Sequence, residues 1–122
     1  MTVRELAALI EARNISGSCM DGEIRGGFMS DIMSRAMAEG FSGMAWITHR
    51  ADMNALAVAV MKDAACVIFP AGIEPEEAVI RRAETEKMPL MISEKPAFEI
   101  AGIMYLSEIR GREESINDVA QS

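Results

Sequence analysis

The stretch AACVIFPAGIEPEE, residues 64–77, decides the fold class of this 122-residue chain. Its first half, Ala65 to Phe69, is an uninterrupted apolar run, typical of a strand in a sheet that is covered on both faces. The second half changes to a loop with one glycine and then to Pro75 and two acidic residues, which is the composition of a helix start. A buried strand that leads through a short loop into a helix is the repeating unit of α/β folds.

The same unit recurs on both sides of this stretch. Met44–Thr48 and Met88–Ser93 are further apolar strand segments. Residues 53–63 fit a strand through their valines, but their length, their alanines and Asp52 as a cap favour a buried helix. The predicted order is helix, strand, strand, helix, strand, helix, strand, helix, strand, helix. It indicates an α/β fold with a largely parallel or mixed sheet of four to five strands and helices packed on it.

Helices are also predicted at the two ends of this pattern. Thr2 and Glu5 have the spacing of a capping box, which predicts a first helix up to Arg13, followed by a short strand-like piece at Ile15–Ser18. The last predicted helix covers Ala97–Ile109. Its apolar residues fall on two faces, and a second apolar face either marks a partner surface or indicates deeper burial. One face has Phe98, Ala101, Tyr105 and Ile109, and the other has Ile100, Ile103 and Met104.

Composition excludes several classes of protein. The net charge of -7, without any run of Lys or Arg, argues against nucleic-acid binding. Cys19 and Cys66 are too far apart for a zinc motif or a disulfide framework. The N-terminus lacks the layout of a signal peptide, and the longest apolar run, Ala55–Met61, is too short to span a bilayer. We expect a cytoplasmic protein that binds neither nucleic acid nor membrane, with one domain at residues 1–111 and a flexible polar tail at residues 112–122.

Ligands of open α/β sheets bind beyond the carboxyl ends of the strands, so the loops before the helices are the candidate sites. The first loop, predicted after a strand-like piece at Glu23–Arg25, contains Gly26, Gly27 and Ser30. Glycines allow close backbone approach, and a helix N-terminus favours an anion, to which Arg25 and Ser30 could donate. An ordinary tight turn would explain the same glycine pair.

Three further loops are predicted at the same edge. The second loop consists of Thr48, His49 and Arg50 and contains the single histidine of the chain. The third contains Gly72, and the fourth is the segment Ser93–Pro96. Four such loops would converge on one pocket.

Catalytic and metal-binding patterns are missing from the sequence. His49 would need an orienting partner to act as an acid or base, and Asp52 is equally explained as a helix cap. There is no nucleophile-base-acid set, no phosphate-binding glycine motif and no clustered metal-ligand spacing. We therefore expect no enzymatic activity, no catalytic residue, no metal site and no cofactor.

A family resemblance accompanies these patterns. The segment from Met20 to Asp31, with its glycine pair, resembles small DRTGG-domain proteins, and similar segments extend the resemblance over about residues 2–109. They are residues 46–49, 57–68, 74–77, 88–90 and 98–102. The resemblance implies a fold like the N-terminal domain of HPr kinase/phosphorylase and a homodimer. Related domains lie beside phosphotransacetylase and CBS domains, which implies a regulatory role.

Two departures from this family pattern affect the candidate pocket. Asp21-Gly22 stands where the family has Asp-Arg, and Pro70-Ala71-Gly72 stands where it has Thr-Gly-Gly. Both changes remove polar groups. The sequence therefore leaves two hypotheses: a domain that senses a nucleotide or another phosphorylated metabolite, or a homodimeric module that docks on a metabolic enzyme without a small ligand.

Overall fold

The computed structural model describes residues 1–111. The tail predicted at residues 112–122 lies outside the described residues. Ten elements follow in the predicted order. They are α1 (Val3–Leu9), β1 (Ala12–Asn14), β2 (Gly26–Met29), α2 (Met33–Glu39), β3 (Met44–Ile47), α3 (Met53–Met61), β4 (Cys66–Phe69), α4 (Glu77–Glu86), β5 (Leu90–Ser93) and α5 (Ala97–Leu106).

The strands form one mixed sheet in the order β1-β5-β4-β3-β2. Strands β2 to β5 are parallel, and β1 joins β5 antiparallel at the edge. The predicted α/β class with a mixed five-stranded sheet is confirmed. Because β2 to β5 point the same way, the residues that follow them lie along one edge of the sheet.

Apolar strands place a core on each side of the sheet. Every residue of β3, β4 and β5 is buried. Alternate side chains point to opposite faces, so Trp46 and Phe69 pack with α2, α3 and α4, whereas Ile68 and Met91 pack with α1 and α5. Cys66 lies in the core on the α1 and α5 side of the sheet, as a small buried apolar residue. Burial raises the pKa of its thiol to about 12.

Local signals explain the helix starts. Thr2 and Glu5 form the predicted capping box of α1. Asp52 accepts a hydrogen bond from the Ala55 amide at 2.9 Å, which caps α3 and confirms the helix over the strand for this segment. Helix α1 is shorter than predicted because Glu11 has a φ of 53° and turns the chain into β1. Strand β1 therefore comes earlier than the predicted strand at residues 15–18.

Helix α5 buries a different face from the one that its sequence pattern suggests. Ile100 and Met104 are buried against the sheet, whereas Phe98 is 87% exposed and Leu106 is 86% exposed. Of the two alternatives for this face, a partner surface and deeper burial, the structure shows burial for Ile100 and Met104. Among residues 1–111, no helix has the length and apolar character needed to cross a membrane.

Candidate functional site

The carboxyl ends of β2 and β3 bring four of the predicted site residues together. Strand β2 ends at Met29 and is followed by Ser30, and its neighbour β3 ends at Ile47 and is followed by Thr48. The two strands pair in register, with Met29 opposite Ile47. His49 and Arg50 continue from Thr48. The polar residues that follow β2 and β3 therefore lie side by side at this edge.

Asp31 organises this cluster. One carboxylate oxygen, Oδ1, accepts hydrogen bonds from the His49 backbone amide at 2.7 Å and from Thr48 Oγ1 at 3.0 Å. The other, Oδ2, lies 2.9 Å from His49 Nδ1. Three contacts from two consecutive residues fix the carboxylate, and the carboxylate in turn orients the imidazole. Asp31 is the orienting partner that the sequence did not identify for His49.

The protonation of Asp31 follows from these contacts. Its partial burial alone would raise the pKa, but the hydrogen bonds from the His49 amide, Thr48 and the His49 ring outweigh this, so the pKa of Asp31 is below 3.8. Asp31 is therefore ionised at neutral pH. Because the His49 ring contacts Asp31 through Nδ1 and its side chain is 48% exposed, Nε2 is the ring atom left for a ligand.

Arg50 is held beside this pair. Its Nε and Nη2 atoms donate to Asp52 Oδ2 at 2.9 Å and 2.6 Å. The Ala55 amide is the largest cause that lowers the pKa of Asp52, and Arg50 adds to it. The Arg50 amide donates to Thr48 Oγ1 at 3.1 Å, so the buried hydroxyl of Thr48 links the arginine backbone to Asp31. Guanidinium Nη1 is not used in the contact with Asp52.

An apolar recess reaches the same strand ends. It has a volume of about 180 Å³ and lies between β2 and α5. Its lining includes Gly27, Met29, Ile47, Met104, Tyr105 and Arg110. Arg110 lies over the Tyr105 ring, 4.0 Å from the ring centre. Met29 and Ile47 line the recess and directly precede Ser30 and Thr48, so the recess and the polar cluster lie at the same strand ends, although Asp31, Thr48, His49 and Arg50 do not line the recess.

The glycine pair is not the loop that the sequence predicted. Gly26 and Gly27 are the first residues of β2, so the prediction that they lie in a loop before a helix is wrong. The Gly27 amide donates to the Arg110 carbonyl at 2.7 Å, so the chain itself uses this donor. A Cβ atom on Gly27 would lie 3.2 Å from Met104 Cε and 3.4 Å from Ile109 Cγ2. Gly27 thus forms the floor of the recess.

Arg25 and Gly72 lie apart from the cluster. The Arg25 amide donates to the Gly43 carbonyl at the amino end of β2, about 16 Å along the strand from Ser30 at the usual rise per residue. Gly72 has a φ of 69° and donates to the Ser93 carbonyl at 3.0 Å, so it closes a turn against the end of β5. Gly72 therefore lies at the predicted edge of the sheet, but next to β5 and not next to β2 and β3.

Ser30 has a structural task at the end of β2. Its Oγ accepts the Ile32 amide at 3.1 Å, and its carbonyl accepts Trp46 Nε1 at 3.0 Å. The first turn of α2 has no side-chain cap, because Asp31 turns away to His49. No local pattern indicated the role of Asp31, which lies 18 residues before His49 in the sequence, and Tyr105 and Arg110 could be placed only by the packing of α5 along β2.

A larger cavity lies on the opposite face of the sheet. The groove between α3 and α4 has a volume of about 480 Å³ and is lined by Met53, Leu56, Val60 and Met61, with Arg82 and Glu86 at its side. Ligand sites combine apolar walls with a few convergent polar groups. This groove has mainly apolar walls, so the cluster at the ends of β2 and β3 is the better candidate. Residues 1–111 contain no group of three or more metal-ligating side chains.

Comparison with solved structures finds a similar fold. The structure is similar to the crystal structure of the CBS and DRTGG domains of the regulatory region of Clostridium perfringens pyrophosphatase, complexed with the activator diadenosine tetraphosphate. The TM-score is 0.64. The match covers 84% of this chain and 45% of that chain at 11% sequence identity, which supports a DRTGG-related fold. No family model and no curated protein matches the sequence.

Proposed function

We propose that this chain is a non-catalytic regulatory domain that senses a small phosphorylated ligand, a nucleotide in the first instance, at the carboxyl ends of β2 and β3. The observation that carries the proposal is the placement of two unlike surfaces at the same strand ends. An apolar recess with an aromatic wall ends at Met29 and Ile47, and the polar cluster of Thr48, His49 and Arg50 begins at the next residue. A nucleotide has the same two halves, a flat ring and a charged phosphate.

The size of the recess fits this division. Its volume of about 180 Å³ is below the range of roughly 300–1,000 Å³ for sites that enclose a whole ligand. It has room for one ring, which Tyr105 and the Met104 side chain would contact, while the rest of the ligand stays outside. Phosphate oxygens would then accept hydrogen bonds from Arg50 Nη1, and also from His49 Nε2 when the imidazole carries a proton on both ring nitrogens.

The electrostatics of the cluster limit the affinity. Asp31 and Asp52 are both ionised at neutral pH and lie beside the proposed phosphate position. They offset much of the attraction that the Arg50 guanidinium supplies. We therefore expect reversible binding that responds to millimolar or high micromolar metabolite, in keeping with a sensor.

The structural neighbour supports the ligand class. It is a regulatory region that binds an activating dinucleotide, and the matched portion is less than half of that chain. We carry over the class of ligand and the regulatory role, and we place the site from the residues of this chain. A regulatory domain acts through another protein, so we also propose a cytoplasmic partner enzyme.

The second candidate is a protein-interaction module that binds no small ligand. The exposed apolar side chains of α5 favour it, because Phe98, Tyr105 and Leu106 are each more than half exposed on one helix. Under this alternative the recess between β2 and α5 is a packing defect and the Asp31 cluster is structural.

A thermal-shift panel of nucleotides, dinucleotides and phosphorylated metabolites separates the two candidates. A ligand at a hundred times its dissociation constant adds about 2.7 kcal/mol, a shift of several degrees for a domain of this size. We expect a shift for the wild type, its loss in Gly27→Val, which fills the recess, and its loss in Arg50→Gln.

Arg81→Gln is the matched control, because Arg81 is an exposed arginine that pairs with Glu77 on the far side of the sheet. If no compound at millimolar concentration shifts the wild type, the sensor proposal fails and the interaction module takes its place. A shift that survives both site variants would mean that the ligand binds elsewhere.

A further inference from the structure

The two ring nitrogens of His49, the single histidine of the chain, have unlike surroundings. Nδ1 lies 2.9 Å from Asp31 Oδ2, whereas no hydrogen bond within residues 1–111 uses Nε2. Asp31 is ionised at neutral pH and has no proton to donate, so the proton of this hydrogen bond belongs to Nδ1. When the ring is neutral, Nε2 therefore holds a lone pair. A lone pair repels the oxygens of a phosphate, but it can attack the phosphorus atom.

The anchoring of Asp31 makes this tautomer a fixed feature of the fold. Oδ1 of Asp31 accepts hydrogen bonds from the His49 amide at 2.7 Å and from Thr48 Oγ1 at 3.0 Å, so Oδ2 keeps its direction toward the ring. A carboxylate held against Nδ1 strengthens Nε2 as a nucleophile, because it stabilises the positive charge that the ring gains as the new bond forms. The His49 side chain is 48% exposed, which gives a small molecule access to the ring.

We propose that His49 is a phosphorylation site, at which Nε2 accepts a phosphoryl group from a small acyl phosphate. The Nε2 lone pair forms the new bond to phosphorus as the bond between phosphorus and the acyl oxygen breaks. The electron pair of the broken bond leaves with that oxygen, so the second product is a carboxylate. The Nδ1 proton stays on the ring and keeps its hydrogen bond to Asp31.

Arg50 supplies a positive charge beside this histidine. It directly follows His49, and Asp52 Oδ2 fixes its Nε and Nη2 atoms, whereas Nη1 is not used in that contact. A guanidinium at this position stabilises the negative charge on the transferred oxygens. Asp31 and Asp52 oppose the reversible binding of a phosphate here, but a covalent bond between nitrogen and phosphorus does not depend on net attraction.

This covalent state deepens the regulatory role proposed above and rests on it for its purpose, whereas the chemistry rests on His49 and its neighbours alone. A phosphoryl group on Nε2 occupies the position proposed for the phosphate of a ligand. Phosphorylation and nucleotide binding therefore exclude each other, and modification of His49 would switch off the nucleotide response.

Incubation of the full chain with acetyl phosphate tests the modification. The background variant is Cys19→Ser, because Cys19 is an exposed thiol, whereas Cys66 is buried. We expect intact-mass spectra to show one added phosphoryl group that is stable in alkali and lost in acid. It should form about 10-fold or more faster than in the urea-unfolded chain, because the fold fixes the tautomer and the ring.

Three variants assign the modification. His49→Gln should abolish the acid-labile adduct, and Arg50→Gln should slow its formation about 10-fold. Arg81→Gln is the control, since Arg81 is an exposed arginine on α4, and it should leave the rate unchanged. A native rate no faster than that of the unfolded chain, or an acid-labile adduct that persists in His49→Gln, overturns the proposal.

Nitrogen NMR of the single imidazole tests Asp31 as a positioning residue. Asp31→Asn keeps an oxygen for the His49 amide and for Thr48, and it replaces Oδ2 by an amide nitrogen that donates to Nδ1. We expect the proton of the neutral ring on Nδ1 in the wild type and on Nε2 in this variant, with phosphorylation slowed about 100-fold or more. An unchanged tautomer or an unchanged rate contradicts the proposal.

The phosphorylation assay contains no nucleotide, so its failure is distinct from failure of the ligand proposal. A flat thermal-shift panel with a phosphorylated wild type contradicts the nucleotide ligand and supports the modification. A nucleotide shift in a chain that acetyl phosphate does not modify overturns the modification alone. Loss of the nucleotide shift on phosphorylation supports both.

Discussion

Two buried hydroxyl groups at the same edge of the sheet have the same local geometry and different uses. Thr48 follows β3 and accepts the Arg50 amide at 3.1 Å, and Ser93 ends β5 and accepts the Lys95 amide at 3.2 Å. Both side chains are fully buried. Each hydroxyl bonds the amide two residues on, which turns the chain out of its strand.

The difference lies in where each hydroxyl donates its own proton. Ser93 Oγ donates to the Ile10 carbonyl at 2.7 Å, which ties β5 to the end of α1. Thr48 Oγ1 donates to the Asp31 carboxylate, whose other contacts orient a half-exposed histidine. The Ser93 hydroxyl donates to a backbone carbonyl and so connects two elements of the fold. The Thr48 hydroxyl donates to a side chain whose own partner is exposed to solvent, which is the arrangement of a binding site.

Ser93→Ala should have the largest effect on stability. It leaves the Ile10 carbonyl and the Lys95 amide without their partner at a fully buried position. We expect a loss of about 2–3 kcal/mol in the free energy of unfolding, measured by urea denaturation. The ligand response should be unchanged. A loss below about 0.5 kcal/mol would mean that water replaces the hydroxyl.

Thr48→Val keeps the shape of the side chain and removes the same two bonds at the other site. We expect a smaller loss of about 1–2 kcal/mol, because Asp31 and the Arg50 amide are closer to solvent and regain water. Unlike Ser93→Ala, this variant should abolish the thermal shift by ligand. Equal ligand responses in the two variants would remove the distinction drawn between the two hydroxyls.

Asp31→Asn should cost about 1 kcal/mol at pH 7, a value reduced for its partial exposure. The pKa of Asp31 is lowered in the folded chain, so its ionised form stabilises the fold above the unfolded value of 3.8 and this contribution disappears as the pH falls through the lower folded value. Urea denaturation at several pH values should therefore show the two proteins converging below pH 3.8. A constant difference would show that the charge of Asp31 is not involved.

His49→Gln should have the smallest effect on the fold, within about 0.5 kcal/mol at neutral pH, because the ring is half-exposed and the backbone bond to Asp31 remains. Isothermal titration of the best ligand should show weaker binding. Combined with Asp31→Asn, the effects on ligand affinity should be clearly non-additive, since the two side chains act as one unit. Additive effects would indicate that His49 does not rely on Asp31.

The α/β class and the order of the ten elements could be predicted from the sequence because they depend on local patterns. Residues 64–77 contain an apolar run long enough for a strand and then proline and acids that suit a helix start. The capping box at Thr2 and the Asp52 cap are likewise local. The cluster of Ser30, Thr48, His49 and Arg50 followed from the rule that parallel strands end at one edge.

Only the tertiary structure decided the rest. The sequence predicted a loop at Gly26 and Gly27 because glycine pairs serve both turns and close packing, whereas their pairing with Met44 and Ala45 places them in β2, and Met104 of α5 packs against Gly27. The partner of His49 is Asp31, 18 residues earlier, and only the register of β2 with β3 brings the two together. Sequence patterns determine which segments form strands and helices, whereas long-range packing determines which side chains meet.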